Sequence, residues 1–172
     1  MTRTLRDRVF LWCVCALTVG SISTSAYNSS AFAADDTSLS SVTLQELASA
    51  RAGTAKYHDV EQAEADGYVS IDLYLSGEGF HYVNFSLIDG TFDPAHPEVL
   101  LYVPVEGENR LKLVGVEYLI PLGLSADAPA GFTGDADEWR EDSEGFGLWE
   151  VNAWIWEHNP EGVFGHDNPR IP

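Results

Sequence analysis

Residues 98–120 read EVLLYVPVEGENRLKLVGVEYLI, and this stretch decides the fold. Two runs rich in Val, Leu and Tyr, 98–105 and 111–120, flank the polar segment 106–110. Residues of these types favour strands, and a short polar connection that contains Gly and Asn favours a hairpin. The stretch therefore predicts two neighbouring antiparallel strands.

Further strands are predicted on both sides of this hairpin. Apolar and polar residues alternate over 69–75 (VSIDLYL) and over 80–87 (FHYVNFSL), and an Asp-Gly turn follows at 89–90. The aromatic run 148–158 (LWEVNAWIWEH) predicts the last strand. Four or five strands that follow one another along the chain indicate an antiparallel sheet.

The segment that precedes the strands, 43–66, has helical spacing. Thr43 and Glu46 match a capping box, Gly53 is expected to interrupt the helix, and Gly67 is expected to end it. We therefore predict an α+β fold, in which an N-terminal helix, or two short helices, packs on a four- or five-stranded antiparallel sheet. A small β-barrel or sandwich with one helix is the alternative.

The N-terminal segment predicts export. A basic start, an apolar run over 9–20 and a small-residue site ending at Ala33 are typical of a secretory signal peptide. We predict a signal peptide over 1–33, a flexible lead-in over 34–42 and a single α+β domain over 43–172, secreted or extracytoplasmic.

Cleavage at this position would change what the mature chain contains. It would remove Cys13 and Cys15, which are the only cysteines, so the mature chain would have no disulfide. The apolar run is shorter than the roughly 20 residues that a membrane span needs. No membrane span is therefore expected after cleavage.

The charge of the chain restricts its partners. The sequence holds 27 acidic residues against 9 Lys and Arg, for a net charge of −18. A field of this sign repels phosphates, which excludes nucleic acid as a partner. Such acidity, with only two lysines, is typical of a protein from a salt-loving source, and a cationic partner is the other explanation.

Polar residues on the predicted strands lie among apolar neighbours. The alternation groups His81 with Val83, Phe85 and Leu87, groups Glu117 with Leu111, Leu113 and Leu119, and groups Asn152 with Glu150, Trp154, Trp156 and His158. A buried carboxylate is costly unless it is paired or bound to a cation. We therefore predict a half-buried pocket, lined by His81, Glu117, Asn152 and Trp154, that binds a small ligand or a cation.

His81 and Glu117 are the residues of this pocket that could do chemistry. They are the candidate catalytic pair, as an acid and a base, and also the candidate ligands of one divalent metal ion. A structural His–Glu hydrogen bond, or a bulge that turns Glu117 toward solvent, would account for the same pattern. The protein is thus either a binding protein or a small metal- or acid/base-dependent enzyme.

Two other segments carry residues of metal-binding type. His158 and His166 flank a turn at 159–162, with Asp167 adjacent, which suggests a surface metal site. The acidic run 135–144 does not match an EF-hand and predicts a solvated loop. The sequence contains no nucleophile elbow, zincin motif, P-loop or dinucleotide fingerprint.

A third hypothesis is a surface module for protein interaction. Aromatic residues, and tryptophan above all, are favoured at binding surfaces. The side chains that this hypothesis places on the surface are Trp139, Trp149, Trp154 and Trp156.

Several short motifs occur in order along the chain: AKYHDV at 55–60, GFHYVN at 79–84, PEVLLY at 97–102, LVGVEY at 113–118, WIW at 154–156, NPEGVF at 159–164 and NPR at 168–170. Together they resemble a family of small exported microbial proteins without an established activity. The resemblance implies that relatives carry His at the position of Asn152 and an aromatic residue at that of Asp167. If the family site were a metal centre that uses both histidines, Asn152 would weaken it in this chain.

Overall fold

The computed structural model describes residues 39–143 and 145–172. The predicted signal peptide and the two cysteines lie outside these residues. The described elements are helix α1 (Ser41–Thr54), a 3₁₀ turn (Ala55–His58), helix α2 (Val60–Ala65) and strands β1 (Val69–Leu75), β2 (Gly79–Val83), β3 (Val99–Pro104), β4 (Leu111–Pro121), β5 (Arg140–Glu141) and β6 (Leu148–Ala153).

Helix α1 begins earlier than the sequence pattern predicts, inside the expected lead-in. Ser40 has an extended backbone, and its hydroxyl accepts the N–H of Thr43 at 3.0 Å. Thr43 therefore lies within the helix and is buried, and Glu46 binds Thr133 instead of closing a capping box. The predicted capping box is wrong because Ser40 already satisfies the exposed amide.

Gly53 does not interrupt α1, which continues to Thr54. A Cβ atom at this position would lie 2.1 Å from the carbonyl oxygen of Ala95, so glycine is required where the segment before β3 crosses the helix. The chain turns after α2 at Gly67, which has φ +98°. The predicted end of the helical segment is therefore confirmed.

The six strands form one open antiparallel sheet in the order β1-β2-β3-β4-β6-β5. The hairpin predicted from residues 98–120 is β3 and β4, at the centre of the sheet. The α+β class is confirmed, with one strand more than the upper prediction. The additional strand is β5, two residues within the predicted acidic loop, which pairs with the outer edge of β6.

The two faces of the sheet carry separate apolar clusters. One face packs against the helices, through Leu47, Ala50 and Ala63 on the helices and Tyr82, Leu100, Tyr102, Val116 and Tyr118 on the sheet. The opposite face is made by Val83, Val99, Leu101, Val114 and Leu119, with Trp154 and Ile171 from the last part of the chain. Trp154 and Ile171 thus cover part of the face that the helices leave free, whereas Val163 and Phe164 belong to the cluster on the helix side.

A bulge in β4 decides which residues accompany Glu117. The register changes between Leu101 and Tyr102, where Val114 is inserted as an extra residue. Leu113 therefore packs on the helix side, whereas Glu117 lies on the opposite face. The predicted grouping of Glu117 with Leu113 is wrong, because alternation does not hold across an inserted residue.

Strands β2 and β6 also end earlier than the sequence pattern predicts. β2 ends at Val83, which shares the face of His81 as predicted, and Phe85 beyond it is exposed. β6 ends at Ala153, and Trp156 packs against the cluster on the helix side. Among the residues that the structure describes, no helix has the length and apolar character needed to cross a membrane.

Candidate functional site

The turn between β1 and β2 places Glu78 beneath the C-terminal segment. Gly77 and Gly79, on either side of it, have φ of +91° and +96°. At Gly79 a Cβ would lie 2.4 Å from the carbonyl oxygen of Tyr102, so only glycine allows this close approach. The Glu78 side chain, only 5% exposed, is thereby held against the sheet.

His81 orients Glu78 from below. Its Nε2 lies 3.0 Å from Glu78 Oε2, and its Nδ1 lies 3.2 Å from the carbonyl oxygen of Gly79. Both ring nitrogens of His81 therefore face oxygen acceptors. The arrangement leaves the second carboxylate oxygen of Glu78, Oε1, directed toward the C-terminal segment.

Glu117 reaches His81 across the intervening strand β3. Glu117 Oε2 lies 3.8 Å from His81 Nε2, and both side chains are buried above Val99 and Leu101 of β3. The two side chains that the sequence assigns to one pocket therefore lie close together. The cavity beside them has a volume of about 40 Å³, which is room for about one water molecule.

Two further charged residues extend this buried group toward β6 and β5. Glu150 of β6 pairs with Leu119, two residues beyond Glu117 on β4. Arg140 of β5 pairs with Glu150 from the other side of β6. Arg140 Nε donates to Glu150 Oε1 at 2.8 Å, and its Nη2 lies 3.8 Å from Glu78 Oε1. Arg140 therefore supplies positive charge to two of the three buried carboxyl groups.

Burial raises the pKa of Glu117 well above its ordinary value, and the nearby charges of Glu78 and Glu150 raise it further. Burial also raises the pKa of Glu150, but its hydrogen bond with Arg140 acts in the opposite direction. Burial and the neighbouring carboxylates therefore favour the protonated form of Glu117, which shares a hydrogen bond with Glu150.

Asn152 and Trp154, the other two predicted pocket residues, hold the C-terminal segment. Asn152 lies opposite Glu117 in the strand register, and its Nδ2 donates to the carbonyl oxygen of His166 at 2.9 Å. The Trp154 indole donates to the carbonyl oxygen of Gly165 at 2.6 Å, and the ring is fully buried. Neither side chain lines the small cavity beside His81 and Glu117.

Two more asparagines fasten the same segment. Asn159 Nδ2 donates to the carbonyl oxygen of Asp167 at 2.9 Å, and the backbone N–H of Asn168 donates to the carbonyl oxygen of Gly77 at 2.9 Å. These bonds bring His166 and Asp167 onto the turn that carries Glu78.

Glu78, His166 and Asp167 form a cluster whose ligand atoms all lie within 4.8 Å of one another. His166 Nδ1 lies 3.0 Å from Glu78 Oε1, and His166 Nε2 lies 3.6 Å from Asp167 Oδ1. His166 Nδ1 is nevertheless a buried atom without a hydrogen bond, because the angle toward Glu78 is unfavourable. The cluster is partly open to solvent through His166 and Asp167, whose side chains are 38% and 61% exposed.

The sequence pattern named His166 and Asp167 as metal-binding types but missed their partner. It paired them with His158, which is exposed and does not belong to the described cluster. Glu78 lies in a turn, where alternation of apolar and polar residues carries no information. The only indication in the sequence is that Glu78 lies between Gly77 and Gly79, since glycines often mark a tight turn.

The four tryptophans of the interaction hypothesis do not form an exposed patch. Trp154 is buried, and Trp139, Trp149 and Trp156 are partly buried. The described side chains that are most exposed among the large hydrophobics are Phe85, Leu124 and Phe146.

Comparison of the chain with known protein families, with curated proteins and with solved structures gave no match. The resemblance to a family of small exported proteins stays a prediction. The function is argued from the geometry of the described residues.

Proposed function

We propose that this is an exported protein that binds one divalent transition-metal ion through Glu78, His166 and Asp167. The binding-protein hypothesis drawn from the sequence is thereby given a definite ligand and a definite place. His81, which the sequence suggested as a ligand, becomes the residue that positions Glu78.

The observation that carries the proposal is the contact between His166 Nδ1 and Glu78 Oε1. The two atoms lie 3.0 Å apart and do not form a hydrogen bond. Two donor atoms that bind one zinc ion at about 2.1 Å in tetrahedral geometry lie about 3.4 Å apart, so the two side chains need to separate by only about 0.4 Å. The spacing therefore suits two ligands of one metal ion.

The ligand types favour a metal of the zinc kind over calcium. Imidazole nitrogen is a ligand for zinc, copper, iron and nickel, whereas calcium takes six to eight oxygens. One nitrogen and two carboxylates match the three protein ligands of an open zinc site, with a further position for water. Asp167, with its exposed side chain, can rotate to complete the set.

Two neighbours of Glu78 have opposite effects on its affinity for a metal ion. The bond from His81 orients the carboxylate, as the outer partners of metal ligands commonly do. Arg140, 3.8 Å from Glu78 Oε1, repels a cation at the same oxygen. We therefore expect an affinity below that of a closed structural zinc site.

Binding would tie two distant parts of the chain together. Glu78 belongs to the turn between β1 and β2, and His166 and Asp167 belong to the segment that covers the sheet. An ion held by all three residues would stabilise the folded state, because the unfolded chain does not hold them together.

The test is a titration of the purified mature protein, freed of metal with a chelator, with Zn²⁺ and separately with Ca²⁺ by calorimetry. We expect one Zn²⁺ per chain and a rise in melting temperature. His166→Ala should abolish both effects, and His96→Ala, which alters an exposed histidine paired with Asp93, should not. Equal zinc binding by wild type and His166→Ala would refute the site.

An enzyme that uses His81 and Glu117 as acid and base receives less support. The two side chains do meet, and burial raises the pKa of Glu117. The space beside them, about 40 Å³, is too small for a substrate larger than water. A binding function at the surface cluster therefore accounts better for the geometry.

A further inference from the structure

A cavity that contains several polar side chains lies beside His166. It has a volume of about 440 Å³, within the usual range of small-molecule sites. The residues that matter for recognition are Glu138, Trp139, Arg140, Asn152, Glu161 and His166. Val151, Val163 and Phe164 add an apolar wall.

Asn152 lines this cavity and carries a buried acceptor without a hydrogen-bond partner in the described part of the chain. The side chain is 2% exposed, and its Oδ1 has no hydrogen-bond partner among the described residues. Its Nδ2 donates to the carbonyl oxygen of His166, which fixes the orientation of the amide. A buried acceptor of this kind calls for a donor, which a bound ligand or an internal water can supply.

The rim of the cavity adds two carboxylates from separate segments. Glu138 precedes β5 and Glu161 lies in the turn after Asn159, and both side chains are exposed. Neither carboxylate is paired with a described residue. They therefore place negative charge at the entrance, in a chain whose net charge is already −18.

The positive charge in the wall is already engaged. Arg140 donates to Glu150 at 2.8 Å and lies 3.8 Å from Glu78 Oε1, so its charge is balanced by buried carboxylates. Apart from His166, whose Nδ1 faces Glu78, the groups left to recognise a ligand are acceptors: Asn152 Oδ1 and the two rim carboxylates. Trp139 adds an aromatic ring, whose face attracts cations.

We propose that this cavity binds a small organic ammonium ion, whose N–H groups donate to Asn152 Oδ1 and to the carboxylates of Glu138 and Glu161, while its apolar part lies against Trp139 and Phe164. The inference is independent of the metal ion at Glu78, since it rests on a different set of acceptors. It adds a second ligand class to the protein.

Three probes of equal length and different head groups test the proposal: n-butylammonium, n-butanol and n-butyrate. Binding is followed by NMR through the side-chain amide of Asn152 and the indole N–H of Trp139, at about 0.15 M salt and with a chelator present. We expect butylammonium to bind about three- to tenfold more tightly than butanol, and butyrate not to bind.

Variants separate this site from general attraction to an acidic protein. The double variant Glu138→Gln and Glu161→Gln should weaken butylammonium binding about three- to tenfold, and Glu106→Gln, in the exposed hairpin turn, should leave it unchanged. Equal binding of butanol, preference for butyrate, or equal affinity of the double variant and wild type would each overturn the proposal. Absence of any shift at Asn152 and Trp139 would show that the cavity holds only water.

Discussion

Glu98 provides the sharpest test of the electrostatics of this fold. It precedes β3, is 2% exposed, and its Oε2 accepts the backbone N–H of Leu119 at 3.1 Å. Burial raises its pKa to about 8, and the charges of Asp89 and Asp93 act in the same direction. The perturbation we consider is Glu98→Gln, which keeps an acceptor for Leu119 and removes the titration.

The magnitude follows from the difference between the folded and unfolded pKa values. The unfolded chain releases the proton of Glu98 near pH 4.5, whereas the folded chain keeps it until about pH 8. The free energy of unfolding is therefore highest below about pH 4.5, falls as the pH rises through this window, and stops falling above it. Between about pH 5 and about pH 7.5 the expected loss from this group is about 3 kcal/mol.

The assay is urea unfolding of wild type and Glu98→Gln at several pH values from about 5 to about 8. Other carboxyls titrate alike in both proteins, so the difference between the two unfolding free energies isolates Glu98. At about pH 5 the variant is expected to be less stable by about 1 kcal/mol, because its amide N–H groups lack acceptors. By about pH 7.5 it should be the more stable protein, since wild type alone loses the roughly 3 kcal/mol.

The control is Glu106→Gln, which removes an exposed carboxylate from the hairpin turn. Its unfolding free energy should run parallel to that of wild type over the whole pH range. If the Glu98→Gln curve is also parallel, within about 0.5 kcal/mol, Glu98 is ionised in the folded protein and the reasoning is refuted.

Three further predictions concern the helix, the buried ion pair and the salt dependence. Gly53→Ala should lower the melting temperature despite the better helix propensity of alanine, because its Cβ would lie 2.1 Å from the Ala95 carbonyl oxygen. The control is Gly123→Ala, where a Cβ meets nothing within 4 Å. Equal melting temperatures of the two variants would contradict the contact with Ala95. Arg140→Gln should raise the pKa of Glu150 and lower the free energy of unfolding by about 2 kcal/mol in chemical denaturation. Arg110→Gln, at an exposed pair with Glu108, should have a much smaller effect, and equal effects would count against the buried network. If the acidity reflects a salt-loving source, the melting temperature should rise from low to molar NaCl, and a melt independent of salt would argue against that origin.

Local patterns in the sequence correctly predicted the central hairpin and the end of the helical segment. The hairpin of 98–120 forms β3 and β4, because its Val, Leu and Tyr residues favour strands and its connection favours a turn. Gly67 ends the helical segment, because its φ of +98° is readily adopted only by glycine. Alternation also groups His81 with Val83 and Glu117 with Leu119, on the face where the two side chains meet.

Patterns failed where the outcome depends on a neighbouring element. The extra residue Val114 is visible only in the pairing of β4 with β3, and it reverses the grouping of Leu113 with Glu117. The sequence pattern assigns Arg140 to a solvated loop. Nothing in its own segment shows that the outer edge of β6 is free to pair with it, or that Glu150 lies opposite it in that pair.

The sequence by itself determined the α+β class, the order of helix and strands, the acidity, and the presence of a histidine and a carboxylate on one face of the sheet. These properties follow from side-chain periodicity and charge, which are local. Only the tertiary structure decided that Glu78 from a turn meets His166 and Asp167 from the end of the chain. This contact depends on how the C-terminal segment folds back over the sheet. The segment is held by hydrogen bonds from the side-chain amides of Asn152 and Asn159 to its backbone carbonyl oxygens, and no periodicity in the sequence predicts these bonds.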